Sequence, residues 1–170
     1  MTDMHPLVEE AMKKAAVAWL TVPGQPGPYA VWCLWLDGAL YVVSGPGEQP
    51  APGLAGAVVV DVSSRGDHGG RIVTWPAQVQ RLAPDDEAWP PVTQQLAGKR
   101  LNAPASTADT VRRWADECVI NRLVPVSDQV EAGAPADAGS GAAPPRSTPA
   151  ANRTAKPFRL HRVRGAGPNR

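Results

Sequence analysis

Two apolar runs that meet at Asp37-Gly38 constrain the fold of this chain more than any other segment. The runs are Tyr29–Leu36 and Ala39–Gly45. An Asp-Gly pair between two such runs is typical of a two-residue β-hairpin, because both turn positions need a positive φ. Within Val31–Leu36 both alternating sets of side chains are apolar, so we expect that strand to be buried on both faces. One face can line a small barrel, and the other must meet a helix or a second subunit, which makes a homodimer the natural hypothesis.

Four further segments are typical of strands and bring the predicted number to six. Arg71–Leu82 contains Pro76, which lacks an N–H donor, so we expect this strand to lie at an edge or to be bulged there. A flexible glycine-rich hairpin loop precedes it. The four segments are Ala16–Val22, Ala57–Arg65, Arg71–Leu82 and Cys118–Val126.

Helices are predicted before the first strand and again before the last one. The N-terminal helix has Pro6 at a position that suits the first helical residue, and basic residues follow acidic ones along it. A second helix is expected from Pro90, where Lys99 and Arg100 are favourable charges at its C-terminal end. Ser106-Thr-Ala-Asp109 resembles a capping box and marks the start of a third helix.

Composition divides the chain near Val126. The chain has 170 residues, of which 43% are hydrophobic, so residues 1–126 can bury the core of one domain. Residues 127–170 are rich in Ala, Pro and Gly and predict a disordered tail. The formal charge is +1, but the domain has 10 basic and 13 acidic residues, net −3, and the tail has 7 and 3, net +4. Any attraction to nucleic acid is therefore expected in this basic tail, although a solvated extension is its default interpretation.

The remaining motifs exclude several classes of protein. No window approaches the roughly 20 apolar residues of a membrane span, and the N-terminus does not resemble a signal peptide, so we expect a cytoplasmic protein. The two cysteines lie far apart in apolar runs and predict reduced core thiols. The three histidines are too scattered for a metal site.

The order of these elements resembles the pyridoxamine 5′-phosphate oxidase-like family of split β-barrels, in an actinobacterial-type branch. The resemblance covers about residues 5–126 and implies a mainly β (α+β) fold, a six-stranded split barrel with an N-terminal helix and a helical insertion before the last strand. Its carriers are VAWLTV (Val17–Val22), LWLDGALYVVSG (Leu34–Gly45), RIVTWPAQVQRLAPDDEAW (Arg71–Trp89) and NRLVP (Asn121–Pro125).

The resemblance implies a homodimer with FMN, or in some branches the deazaflavin F420, bound between subunits, in a protein that can serve as an oxidoreductase. By position, Ser44 corresponds to a strand-end hydroxyl on the cofactor phosphate, Arg71 to a strand facing the cofactor, and Arg122 to the last strand. Trp75 neighbours Arg71 and is a candidate ligand contact. The resemblance leaves the catalytic residues open.

One departure from the family pattern concerns the loop Gly45–Gly53. Family members that hold a flavin phosphate place a Lys or Arg shortly after the position of Ser44, where its charge pairs with the phosphate. This chain has Glu48 there, with the wrong sign, among prolines that provide few N–H groups. Either Arg65 or Arg71 supplies the charge from a neighbouring strand, or the phosphate pocket is lost. The second case predicts a cofactor-free dimer that acts as a scaffold or partner-binding module.

Overall fold

The computed structural model describes residues 5–66, 70–102, 105–126 and 130–133. Its strands form one antiparallel sheet of eight strands with three α-helices around it. The strands lie in the order β2-β1-β5-β6-β7-β4-β3, and β8 pairs with β6 beside this path. The elements are α1 (Pro6–Lys14), β1 (Val17–Thr21), β2 (Tyr29–Trp32), β3 (Leu34–Leu36), β4 (Ala39–Ser44), β5 (Val59–Arg65), β6 (Arg71–Leu82), α2 (Trp89–Lys99), α3 (Thr107–Glu117), β7 (Val119–Pro125) and β8 (Glu131–Ala132).

The sheet curls into a barrel because its two end strands are consecutive in the chain. β2 and β3 lie at opposite ends of the strand order, yet only Cys33 separates them. The Cys33 N–H donates to the carbonyl of Ala16 at 3.0 Å, at the entrance to β1. We call this junction, Trp32–Leu34, the seam of the barrel. The single strand predicted for Tyr29–Leu36 is therefore divided at Cys33, and this division together with β8 raises six predicted strands to eight.

The hairpin and the third helix begin where local sequence signals predict. Asp37 and Gly38 have φ of 48° and 75°, as the two-residue turn between β3 and β4 requires. The hydroxyl of Ser106 accepts the N–H of Asp109 at 3.2 Å, which confirms the predicted N-cap of α3. α2 begins at Trp89, one residue before the predicted start, and its prolines lie in the first turn.

Two hydrophobic clusters lie on the two faces of the sheet. The barrel interior contains Val31, Cys33 and Trp35, and α1 contributes Val8 and Met12 to it. The second cluster lies between the outer face of β3, β4 and β7 and the helices α2 and α3. Leu34 belongs to this cluster, and the half-buried Trp32 and Leu36 pack against it. The strand segment that is apolar on both faces is thus covered by the barrel on one side and by helices on the other.

β6 changes neighbours at Pro76. One edge of β6 pairs with β5, while the other pairs with β8 at residues 73–74 and with β7 from Ala77 onward. The Pro76 carbonyl accepts the N–H of Val126 at 3.2 Å, so its nitrogen faces the same gap between β8 and β7. The proline ring therefore displaces no backbone hydrogen bond between β6 and β5, which explains how an inner strand accommodates a proline.

The predicted domain end at Val126 lies just before a short additional pairing. β8, at Glu131–Ala132, adds to β6, and the N–H of Gly133 donates to the Ile72 carbonyl at 2.8 Å. The rest of the predicted tail, and His68 in the loop before β6, lie outside the described residues. No helix in the described ranges is long and apolar enough to cross a membrane.

Candidate functional site

A cleft of about 630 Å³ opens beside the seam. It lies where α1 and α2 end, next to the start of β1 and the loop after β4. Its volume falls within the roughly 300–1,000 Å³ of small-molecule sites, and most of its surface is apolar. We call it the seam cleft. Its lining residues are Lys14, Ala15, Ala16, Val17, Trp32, Cys33, Gly47, Glu48, Gln49, Lys99, Arg100 and Leu101.

The charge of the seam cleft favours an anion. Lys14 and Lys99 come from the last turns of α1 and α2, where basic side chains suit the negative end of the helix dipole. Arg100 follows directly. Among the described lining residues Glu48 is the one acid, so their formal charge is three positive against one negative, net +2. Because both helices end at the cleft, the fold gathers cations that are far apart in sequence.

Gln49 fixes one wall of the cleft by closing the gap between β2 and β4. Its side-chain oxygen accepts the N–H of Trp32 at 2.7 Å. Its side-chain nitrogen donates to the carbonyl of Trp32 at 2.8 Å and to the carbonyl of Val43 at 3.1 Å. One amide side chain thereby takes the place of a missing strand between β2 and β4, where backbone groups would otherwise lack partners. Trp32 is held by these bonds at the cleft wall.

Glu48 is buried behind the cleft and paired with two arginines. Its side chain is 1% exposed. Arg100 Nε lies 2.9 Å from both carboxylate oxygens, while Arg113 Nη2 and Trp114 Nε1 donate to Oε1 at 2.5 Å and 2.9 Å. Burial alone raises the pKa of Glu48, but the hydrogen bonds from Arg100, Trp114 and Arg113 more than offset it, so the pKa lies below its ordinary value. Glu48 is therefore an ionised internal anchor.

The arginines also hold the backbone of the loop Gly45–Gly53. Arg113 Nη1 donates to the Pro46 carbonyl at 2.6 Å, and Arg100 Nη2 donates to the Gly47 carbonyl at 3.0 Å. Gly47 has φ of 74°, and a Cβ added there would lie 2.9 Å from Arg113 Nη1. The loop therefore contacts the end of the Arg113 side chain at Gly47, and any other residue at this position would also be strained by the positive φ.

The residues assigned from family position do not converge on the seam cleft. Ser44 ends β4 opposite Val119. Arg71 begins β6, whereas the far end of β6, Leu82, pairs with Ile120 next to Val119. Ser44 and Arg71 are thus separated by nearly the whole of β6, on the order of 30 Å along an extended strand. Arg122 lies on the helix-facing side of β7 opposite Tyr41, and its Nε is buried without a hydrogen-bond partner among the described residues.

Arg71 and Trp75 instead border a second, polar pocket of about 270 Å³ on the outside of β1, β5 and β6. Arg71 Nε donates to the Gly133 carbonyl at 3.0 Å, and its Nη2 lies 3.6 Å from Glu131. Trp75 is 1% exposed and packs edge to face on Trp35 in the barrel interior at 5.8 Å. Arg65 stacks over the ring of Trp19 at 4.2 Å. Arg65 pairs with Arg71 in the β5–β6 register, so these two arginines are neighbours, although Arg65 is not among the residues that line the polar pocket. Arg71 and Trp75 both border this pocket, with the Trp75 ring packed in the barrel interior, and Ser44 and Arg122 lie apart from it.

The cations of the seam cleft were missed by sequence reasoning. In the sequence, Lys99 and Arg100 indicate only favourable charges at a helix end. Arg113, which pairs with Glu48 but does not line the cleft, has no signal beyond its place on α3. An unpaired acid in an apolar, proline-rich loop was the available clue, because a carboxylate that becomes buried needs cationic partners. In the described part of the chain, no group of three or more His, Cys, Asp and Glu side chains could hold a metal ion.

Comparison with solved structures identifies the fold. The heme storage protein HutZ from Vibrio cholerae aligns with a TM-score of 0.54 at 16% identity, over 78% of this chain and 96% of that one. A candidate pyridoxamine 5′-phosphate oxidase from Listeria innocua aligns with a TM-score of 0.50 at 16% identity, over 74% and 94%. The fold is a split β-barrel. A conserved hypothetical protein from Mycobacterium tuberculosis shares this fold with a TM-score of 0.52 at 17% identity, over 75% and 83%. Neither a protein-family model nor a curated protein matches the sequence.

The seam cleft of this split barrel fits a flat anionic molecule better than the polar pocket does. Its apolar wall at Trp32 and Val17 suits a ring system, and Lys14 and Lys99 suit a phosphate or carboxylate group. The polar pocket is less than half as large, and Glu131 already lies beside its arginine. The residues present therefore fit a flavin-type group in the seam cleft.

Proposed function

We propose that this split barrel binds FMN or the deazaflavin F420 in the seam cleft and can serve as an oxidoreductase. The observation that carries the proposal is an apolar cleft with Trp32 in its wall and Lys14, Lys99 and Arg100 at its border. Either cofactor, when bound, supplies hydride transfer. The chain's own residues then bind and orient it, so no nucleophile–base pair is needed.

The roles of the cleft residues follow from their chemistry. The indole of Trp32 offers a rigid apolar surface to a ring, and Gln49 fixes its backbone. Lys14 and Lys99 are placed to neutralise an anionic group, and their contribution weakens as salt rises. Arg100 is shared with Glu48 and so contributes less net charge to a ligand.

We also propose that the protein is a homodimer. The outer face of β1, β5 and β6 has exposed apolar side chains, with Val17 47%, Val59 40% and Ile72 42% exposed. Among the described residues no element covers this face. A second copy would bury it, and an isologous contact needs no other partner. Analytical ultracentrifugation at micromolar concentration tests this, and a monomer alone contradicts it.

The cofactor proposal is tested by titration of the purified full chain. FMN, F420 and hemin are added separately, and the melting temperature and the absorbance of bound chromophore are measured. FMN or F420 is expected to raise the melting temperature. Lys14→Ala should weaken binding several-fold, whereas Lys13→Ala should not, because Lys13 lies in the same helical turn, has an equivalent ion pair and does not line the cleft.

Two outcomes overturn the cofactor proposal. If neither FMN nor F420 changes the melting temperature while hemin does, the cleft serves a heme-like ligand, as the name of HutZ would suggest. If none of the three binds, the second candidate function gains support, a cofactor-free scaffold or partner-binding dimer. The pairing of Glu48 with two arginines favours that alternative, because it satisfies cations that a phosphate could have used.

A further inference from the structure

We propose that Arg100, Arg113 and the indole N–H of Trp114 form an oxyanion-binding cradle that Glu48 fills from within the chain. The donors come from the end of α2 and from α3, and the acceptor comes from the loop Gly45–Gly53. We call the three donors the arginine cradle. Its natural occupant is a carboxylate tethered to the loop.

The geometry of the arginine cradle is that of an anion site. Three side chains direct N–H groups at one carboxylate, with Oε1 accepting from all three at 2.5–2.9 Å. The carboxylate is 1% exposed, so these donors replace its water. Guanidinium groups bind carboxylate and phosphate through the same hydrogen-bonding edge. The arginine cradle is therefore suited to oxyanions as a class.

The arginine cradle has supports that do not depend on the Glu48 carboxylate. Arg113 also donates to the Pro46 carbonyl, and Arg100 also donates to the carbonyls of Gly47 and Asn102. The Trp114 ring is fully buried in the cluster between the sheet and the helices. Removing the carboxylate should thus leave the donors close to their present positions, around a space of carboxylate size.

The charge of the arginine cradle also favours an occupant. Two guanidinium groups face one carboxylate, which leaves one net positive charge with Glu48 in place and two without it. The side chains of Arg100 and Arg113 are only 14% and 26% exposed, so water replaces the lost carboxylate incompletely and the vacated arginine cradle should take an anion from solution. Small oxyanions such as formate, acetate and inorganic phosphate fit this requirement.

A consequence for ligand selection rests on the proposed cofactor in the seam cleft. Arg100 borders the cleft, but its Nε is committed to Glu48. The phosphate or carboxylate of a cleft ligand is then left to Lys14 and Lys99. Glu48 thereby withholds Arg100 from a cleft ligand.

The test is chemical rescue of Glu48→Ala without any cofactor. Melting temperature and folded yield are measured for the full chain in formate, acetate or phosphate, against chloride at equal ionic strength. We expect Glu48→Ala to have a lower melting temperature than the wild type. Oxyanions should restore a few degrees Celsius of it, by an amount that rises with the logarithm of their concentration. Glu48→Gln, which fills the space without charge, should show no such gain, and neither should the wild type. Glu9→Ala is the control, because Glu9 is 41% exposed and pairs with Lys13, which does not line the seam cleft.

The proposal is overturned if chloride rescues Glu48→Ala as well as the oxyanions do, because that result indicates general screening. It is also overturned if no oxyanion improves either its melting temperature or its folded yield, including the case in which the variant never folds. Rescue that also occurs in Glu48→Gln contradicts the assigned space. Since no cofactor is present, failure here leaves the titration of FMN and F420 in the wild type as a separate result.

Discussion

Replacing Gln49 with alanine removes three hydrogen bonds that join β2 and β4 across the barrel seam. The Trp32 N–H, the Trp32 carbonyl and the Val43 carbonyl would each lose their side-chain partner. A buried polar group without a partner costs roughly 1–3 kcal/mol, and a net hydrogen bond contributes about 1 kcal/mol. Because these bonds are only partly buried, water can enter and the lower values apply. We expect Gln49→Ala to lower the free energy of unfolding by about 3 kcal/mol.

Urea denaturation followed by tryptophan fluorescence measures this loss. Gln80→Ala is the matched control, because Gln80 is exposed on β6 and its one side-chain hydrogen bond among the described residues, to Gln78, is 3.5 Å long. That variant should stay within about 0.5 kcal/mol of the wild type. Gln49→Glu should also be destabilised, since a carboxylate can accept from the Trp32 N–H but cannot donate to the two carbonyls. A Gln49→Ala variant as stable as Gln80→Ala would refute the role of Gln49 at the seam.

Three further predictions concern the loop, its acid and the thiols. Gly47→Ala should lower the free energy of unfolding by about 1–2 kcal/mol, because of its positive φ and its contact with a guanidinium. Gly98→Ala, which has open space around it in a helix, should raise that free energy by about 0.5–1 kcal/mol. Urea denaturation of both variants measures the two changes. Because the pKa of Glu48 is lowered, its carboxylate stabilises the fold above the ordinary pKa of 4.5, and this stabilisation is lost as the pH falls through the folded-state pKa. The difference in unfolding free energy between wild type and Glu48→Gln should therefore shrink on acidification. A difference that stays constant with pH would contradict the lowered pKa. Cys33 and Cys118 are only 1% and 7% exposed, and burial raises the pKa of Cys33 to about 12 and also raises that of Cys118. A thiol reagent at pH 8 should therefore label them much faster in urea than in the native protein, and rapid labelling of the native protein would contradict the burial of the labelled thiol.

Local signals in the sequence predicted the elements well, because the interactions that form them span few residues. The Asp37-Gly38 turn depends on two φ angles, and the N-cap at Ser106 on a bond to a residue three positions later. The bounds of β6, Arg71–Leu82, agree with the prediction. The order of elements was also sufficient to identify a split barrel. Its site residues, assigned from position in the family, stay a prediction.

The candidate site could not be predicted in the same way. Glu48 was correctly singled out as an unusual acid, but its partners Arg100 and Arg113 are 52 and 65 residues away. Their approach depends on how α2 and α3 pack on the outer face of the sheet, and no local spacing encodes that packing. The same is true of the seam cleft, which exists because α1 and α2 both end beside Cys33.

The sequence by itself thus determined a β-rich domain with a hairpin at Asp37-Gly38, two covered faces on the strand before it, and an acid in the following loop that needed an explanation. Only the tertiary structure decided that helices cover the second face and that this acid is buried between two arginines. Backbone turns and alternation are set by neighbours in the chain, whereas the pairing of a buried charge is set by neighbours in space.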